Sequence, residues 1–263
     1  GLDSFEYKLT ESNGDSETNT VYINVFKEYT STPPKIAEIY GDKENQLFGV
    51  GYSFYGGRIS MSGNGEIIAI GAQADNTNGV NSGLVKVFKR GSDDSYAQIG
   101  DNILGTSNGV RLGRATALNE DGTILATGEW TNREAGNSSG EVKVFKYQNE
   151  AWVQMGDDIN GLRYQDWFGF SLSLSGDGKI LLVGSDGYDN TDDDKGNTGA
   201  LYVFYYSDNK WNRLALEPGD NVDDYFGQDA VISKNGKVIA VGAIEGDDDD
   251  GNDDGGPYVL AMD

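Results

Sequence analysis

One line is written four times in this chain: "RISMSGNGEIIAIGA" from Arg58, "ATALNEDGTILATGE" from Ala115, "SLSLSGDGKILLVGS" from Ser171 and "DAVISKNGKVIAVGA" from Asp229. A sequence that returns to itself at a fixed period builds copies of one structural unit, and this constrains the fold more than any composition does. Aligned on their first aromatic or aliphatic residue, the copies start at Tyr55, Leu112, Phe168 and Phe226, with spacings of 57, 56 and 58 residues. A glycine follows each start (Gly56, Gly113, Gly169, Gly227), and another comes sixteen residues after it (Gly71, Gly128, Gly184, Gly242).

Each copy reads as four strands. The first alternates, as in Phe170, Leu172 and Leu174 against Ser171, Ser173 and Ser175. The second is a short apolar run (Ile67–Ile70, Ile124–Thr127, Ile180–Val183, Val238–Val241), the pattern of a strand covered on both faces. The third is "GLVKVFK", "GEVKVFK", "GALYVFY" or "GPYVLAM", and the fourth "YAQIG", "WVQMG" or "WNRLA". Four strands per unit, with the second buried on both sides, is what a β-propeller blade requires. The expectation is therefore an all-β chain with four repeats of about 57 residues, each a four-stranded blade. Asn64-Gly65, Asp121-Gly122, Asp177-Gly178 and Asn235-Gly236 fall between the first two strands. Asn and Asp alternate there, so the position selects a tight turn with positive φ and not a metal-binding charge.

Composition agrees and removes several function classes. The chain has 263 residues, 38 glycines and 15 tyrosines, with no helical periodicity, which suits strands and turns. It contains no cysteine and no histidine, so disulfides, thiolate or imidazole metal sites and serine–histidine catalysis are all excluded. A net charge of −23 repels a phosphate backbone and an anionic membrane, and favours divalent cations. A solvated acidic surface is the plainer reading of the same charge. No apolar run approaches the ~18–20 residues of a membrane-spanning helix.

The two ends depart from the repeat. Residues 1–25 read as two alternating strands joined by "TESNGDSE", too little for an independent fold. The stretch resembles the closing hairpin of a cadherin-like or immunoglobulin-like tandem domain, which implies a preceding β-sandwich in a longer protein. Residues 26–35, with Pro33 and Pro34, read as a linker, and residues 36–263 as the propeller. "KIAEIYGD" looks like a fourth strand without its blade, and "YVLAMD" ends after a third. The two could complete one blade, or the ring could contain further blades.

Between the second and third strands lie loops rich in oxygen donors and glycine, the ingredients of calcium coordination. The last places seven acidic residues between Glu245 and Asp254. Candidate calcium ligands are Asp186, Asp189, Asp192 and Asp194 in the third blade, and Asp247, Asp249, Asn252 and Asp253 in the fourth. Asp75, Asn76 and Asn78 are the candidates in the first, whereas the second, with Asn132 and Glu134 beside Arg133, is expected to bind none. For each loop a solvated turn is the competing reading.

The stretch "FGFSLSLSGDGKILLVGSDGYDNTDDDKGNTGALYVFYYSDNKWNRLAL" resembles an FG-GAP repeat, the unit of the integrin α-subunit propeller. It is most similar to the microbial and algal variant with "GAxxDDxxGxxSGxVYVF", and the resemblance covers roughly residues 36–263. It implies a propeller in an extracellular or cell-surface protein. Integrin-type blades hold calcium in a "DxDxDGxxxD" hairpin, but "SLSGDGK" keeps only Asp177-Gly178, so those sites do not transfer. Asn137-Ser138-Ser139 is a glycosylation sequon, consistent with a glycoprotein.

The expected function is a non-enzymatic, calcium-binding adhesion or structural module of a larger surface or filament protein. Its partner would be a protein or glycan on one face, or neighbouring subunits of an extracellular assembly. Nucleic acid and membrane insertion are not expected. Trp130 and Trp167, in or near the loops, are candidate contacts, while Trp152 and Trp211 recur in strand four and are read as packing. The alternative is a glycan-binding or glycoside-hydrolase-like propeller, although "SGDGKIL" does not complete the sialidase box.

Overall fold

The structure, a computed structural model, describes residues 2–10, 16–24, 38–39, 41, 48–49, 59–133, 138–189, 196–221, 223–243 and 256–262. The chain divides into two compact units, Gly1–Glu38 and Ile39–Asp263. The first contains a hairpin in which β1 (Leu2–Thr10) pairs antiparallel with β2 (Ser16–Asn24), from Leu2 opposite Asn24 to Thr10 opposite Ser16. Residues 26–35, expected as a linker, lie outside the described residues.

The second unit contains four antiparallel sheets arranged as a four-blade β-propeller, with no helix among the described residues. The first blade is β3 (Ile59–Met61), β4 (Ile67–Ala72), β5 (Leu84–Arg90) and an outer strand split into β6 (Tyr96–Gln98) and β7 (Ile103–Leu104). The second repeats this with β8 (Thr116–Leu118), β9 (Ile124–Glu129), β10 (Glu141–Gln148), β11 (Ala151–Gln154) and β12 (Ile159–Asn160). In the third, β13 (Phe168–Leu174), β14 (Ile180–Ser185) and β15 (Ala200–Ser207) are followed by one continuous outer strand, β16 (Lys210–Pro218), bulged opposite Val203 and Phe204. The fourth shows β17 (Asp229–Ile232), β18 (Val238–Ala243) and β19 (Gly256–Ala261). First strands neighbour one another from blade to blade, in the order β3, β8, β13, β17.

The apolar second strands are buried throughout in the first two blades and almost throughout in the third. Three cores lie between blades: Ile67, Ala69, Val85 and Val87 meet Leu118 and Leu125 of the next repeat. Ile124, Ala126, Val142 and Val144 likewise meet Leu181, Val183 and Tyr202. Leu182, Leu201 and Val203 meet Phe226, Ile239 and Val241. Fully burying such a side chain contributes about 1.5–3 kcal/mol, so one blade alone would forfeit most of its stabilisation.

The tight-turn reading of the Asn-Gly and Asp-Gly pairs has a second cause. Asn64, Asp177 and Asn235 each accept hydrogen bonds at Oδ1 from the serine hydroxyl two residues before and the N–H two residues after. Asp121 closes its turn on the N–H and hydroxyl of Thr123. The glycines that follow have φ between 69° and 74°. They are also seams: a Cβ on Gly122, Gly178 or Gly236 would lie 2.6, 2.5 or 2.7 Å from Ile67, Ile124 or Ile180 of the preceding blade.

The first repeat opens earlier than its sequence suggests. Gly113 and Gly227 donate their N–H to Gly128 and Gly242, and in the first blade the matching bond to Gly71 comes from Gly49, at 2.9 Å. Phe48 lies edge-on to Phe88 at 6.2 Å, as Phe168 lies to Phe204 at 5.9 Å. Phe48-Gly49 thus holds the opening position in the structure, while Tyr55 and Gly56, the pair chosen from sequence, lie outside the described residues.

A Cβ on Gly71, Gly128 or Gly184 would fall 1.9, 2.4 or 1.9 Å from the carbonyl oxygen of Gly113, Gly169 or Gly227. On Gly242 the nearest atom among the described residues is the Asp229 oxygen, at 3.8 Å. Gly184→Ala is expected to lower unfolding free energy by about 3 kcal/mol or more, because the obstacle is backbone. Gly242→Ala, the same change at the same repeat position, should cost less than about 1 kcal/mol. Denaturant unfolding of the two variants checks this pair, and equal losses would contradict it.

Candidate binding site at the loop end of the blades

Where the second strands end and the first strands begin, equivalent positions of successive repeats converge. Gln73, Trp130 and Asp186 each follow the last residue of β4, β9 and β14. Arg114, Phe170 and Gln228 each follow the opening glycine of their repeats. Arg111, Trp167 and Tyr225 precede the opening Leu or Phe, all with positive φ (59°, 52°, 50°). That conformation is rare for bulky side chains. Here their N–H groups bond Asn81, Ser138 and Asn197 carbonyls of the preceding blade at 3.1–3.2 Å.

The resulting cluster is aromatic and ionic together. The Arg114 guanidinium carbon is 3.3 Å from the Phe170 ring centre and 5.5 Å from that of Trp130. Trp130 is edge-on to Trp167 and Phe170, each at 6.0 Å, and Arg111 approaches it at 5.9 Å. The indole N–H of Trp130 and Oε1 of buried Gln73 have no hydrogen-bond partner among the described residues. Asp186 is only 4% exposed and accepts a 3.3 Å bond from Gln228 Nε2. Burial raises its pKa to about 6, against the opposing pull of Arg114 and the Gln228 bond.

The loop into Trp167 is anchored from beneath. Oδ2 of buried Asp166 accepts the N–H groups of Leu162 and Arg163 at 3.0 and 2.8 Å. Burial raises the Asp166 pKa, and those two bonds and the Arg163 charge counter it. Asp224 repeats the device one blade later, accepting from Asn221 at 2.8 Å. Held this way, Leu162 and Tyr164 stand exposed to solvent.

The proposed calcium ligands divide. Oδ1 of Asp75 accepts the Thr77 N–H at 2.7 Å, and Oδ1 of Asn76 accepts that of Asn81 at 2.7 Å. Asn78 donates to the Gly105 carbonyl at 2.8 Å, so Asp75 and Asn76 close their own turn and Asn78 ties it to the segment after β7. Asp186 faces Gln228 and Arg114, while the Asp189 main-chain oxygen accepts from Arg163 at 2.6 Å. Asp192, Asp194, Asp247, Asp249, Asn252 and Asp253 lie outside the described residues, as does Glu134. In the second blade Asn132 donates to Glu129, whose carboxylate also accepts from the N–H and hydroxyl of Thr106. Among the described residues no three acidic side chains group as a metal site. Trp152 and Trp211 are packing residues: each indole donates to the outer strand of the blade before, at Ile99 and Met155. Sequence reading missed Arg114, Phe170 and Gln228. The only signal for them was their place after the opening glycine.

Residues 162–204 match the family model described as the FG-GAP repeat. No curated protein matches the chain. Similar solved structures include a protein from Bacteroides uniformis ATCC 8492 described as a 6-phosphogluconolactonase, at 12% identity and TM-score 0.46. Another is a protein from Agrobacterium tumefaciens described as TolB, at 11% identity and TM-score 0.46. The alignments cover 78% and 82% of this chain, but only 52% and 58% of those chains, so the chain spans little more than half their length.

The raised pKa of Asp186 predicts a pH dependence. Between about pH 4, where an unfolded Asp ionises, and about pH 6, the folded state holds a proton that the unfolded state has lost. Stability therefore falls as pH rises through this window, by up to about 3 kcal/mol. Asp186→Asn is expected to remove this contribution to the slope, leaving that of the other shifted carboxylates, and to be the more stable form at pH 7, measured by denaturant unfolding in chelator. Parallel pH curves for the two proteins would refute it.

Proposed function

We propose that this chain is a non-enzymatic, extracellular calcium-binding propeller, an adhesion or structural module of a larger surface or filament protein. It offers the loop end of its second and third blades to a protein or glycan partner. One observation carries this reading: a protein of net charge −23 leaves Leu162 and Tyr164 exposed on the loop that runs into the Trp130–Trp167 pair. Exposed apolar and aromatic residues on a rigid frame, beside arginines that stack on rings, are the composition of a contact surface. The calcium part rests on the oxygen-rich loops, above all the seven acidic residues between Glu245 and Asp254, whose mutual repulsion a cation would relieve.

A hydrolase would need two open carboxylates facing each other across a cleft. Of the buried carboxylates, Glu129 accepts hydrogen bonds from Thr106 of a neighbouring loop, and Asp166 and Asp224 accept them from N–H groups of their own loops, the work of structural groups.

Calcium is expected to raise the melting temperature with increasing concentration, equivalent to about 2.7 kcal/mol at a hundredfold excess over Kd. Identical melting curves in calcium and in chelator would remove the metal from the reading. For the contact surface, Leu162→Ser combined with Tyr164→Ser should leave melting unchanged. Retention on a panel of immobilised cell-surface glycans and proteins should drop roughly tenfold or more. Undiminished retention would place the partner elsewhere.

A further inference from the structure

The outer strand of the first blade leaves its ladder between Ile99 and Ile103, where β6 gives way to β7. Asp101 and Asn102 stand in the break. They border a cavity of about 340 Å³, lined from the second blade by Lys143 and Phe145 of β10 and by Trp152 and Gln154 of β11. That volume falls within the ~300–1,000 Å³ of small-molecule pockets. Trp152 is held by its indole bond to the Ile99 carbonyl at 3.1 Å and by Tyr147, with ring centres 5.1 Å apart. The aromatic wall is thus in place without a ligand.

The cavity reaches an ion pair that the fold does not require. Lys143 is only 7% exposed, and its ammonium pairs with fully buried Glu141 and with Oδ2 of Asp158 at 3.0 Å. Oε2 of Glu141 has no hydrogen-bond partner among the described residues. Burying such charges is costly. At the same two repeat positions the first blade has Leu84 and Lys86, and the third has Ala200 and Tyr202. Tyr202 fills its seam with a ring set against Phe168 and Phe204, at 5.0 and 6.3 Å. A seam therefore packs without the pair, and the second blade keeps it at the edge of an open cavity.

Charge of both signs selects against charged occupants. Lys143 opposes a cation, while Asp101, with Asp158 beside Lys143, opposes an anion. Hydrogen-bonding capacity nevertheless remains. Lys143 spends two of its three N–H donors on Glu141 and Asp158. Asn102 is held at Oδ1 by Gln98, and Gln154 through Nε2 by Asp158, so each has the other end of its amide to offer. Phe145 and Trp152 supply apolar surface between these groups. We propose that the cavity binds a neutral hexopyranose unit of a glycan. The sugar hydroxyls, each both donor and acceptor, meet Lys143, Asn102, Gln154 and Asp101, and its apolar C–H face lies on the aromatic rings. This pocket shares no residue with the loop-end contact surface and does not depend on that reading.

Saturation-transfer NMR tests this with the methyl glycosides of glucose, galactose, mannose and N-acetylglucosamine, against glucuronate and glucosamine as charged controls. At least one neutral glycoside is expected to bind, and to bind more tightly than either control. Asn102→Ala with Gln154→Ala should melt like wild type, since both residues are exposed, and should weaken that sugar roughly tenfold. Glu141→Leu with Lys143→Met removes the ion pair as a unit and should fold at least as stably while losing the sugar. The exposed pair keeps the test independent of that core change. Leu162→Ser with Tyr164→Ser should leave the signal unchanged, which separates this pocket from the loop end. No transfer to any neutral glycoside, equal binding of a charged control, or undiminished binding by the Asn102 and Gln154 variant would overturn the proposal.

Discussion

Backbone crosses backbone at every seam between repeats, and the rest of the structure depends on that crossing. Gly71 beneath Gly113, Gly128 beneath Gly169 and Gly184 beneath Gly227 leave no room for a side chain on either partner. The approach sets how closely the inner strands β3, β8, β13 and β17 converge, and hence the wedge shape of each blade. Once the glycines are in place, the apolar second strands bury themselves between blades, and the tryptophans of the outer strands reach back to the blade before. Stability is therefore a sum of nearest-neighbour interfaces more than of independent units.

The same crossing builds the candidate site. Because the inner strands are pinned at their glycines, the residues just before and after those glycines have fixed positions at the loop end. Variation there changes chemistry without moving the frame. The first blade places Gln73 at this level, the second Trp130 and Arg114, the third Asp186 and Phe170, and the fourth Gln228. Arg114 and Asp186 are both buried, which is tolerable because each lies in the other's field and Arg114 also stacks on Phe170. Elsewhere a buried carboxylate is likewise paired: Oε1 of Glu141 meets Lys143, which also holds Asp158 at 3.0 Å.

Part of the chain's large acidic excess serves the fold directly. Carboxylates at hairpins and loop bases, such as Asp121, Asp177 and Asp166, are consumed by local hydrogen bonds and serve the fold. For Asp177 burial opposes ionisation, but bonds from Ser175 and Lys179 outweigh it and hold the carboxyl below its ordinary pKa. Such groups are shape-determining, and their charge is incidental to it, which is why asparagine replaces aspartate at Asn64 and Asn235.

The repeat, its four-strand content, the hairpin turns and the packing role of Trp152 and Trp211 are all legible in the linear order of residues. Each of these is written in local order: alternation, glycine at positive φ, and a period that recurs. That order also singled out Trp130 and Trp167. That Phe48-Gly49 opens the first repeat emerges in three dimensions, because its equivalence to Leu112-Gly113 lies in a hydrogen bond to Gly71 and not in sequence spacing. The packing of one blade on the next likewise turns Asp186 towards Arg114 and Gln228. These are facts about what lies across a seam. Residues about 57 positions apart in the chain meet there, and a linear pattern records that they repeat without recording what each one faces.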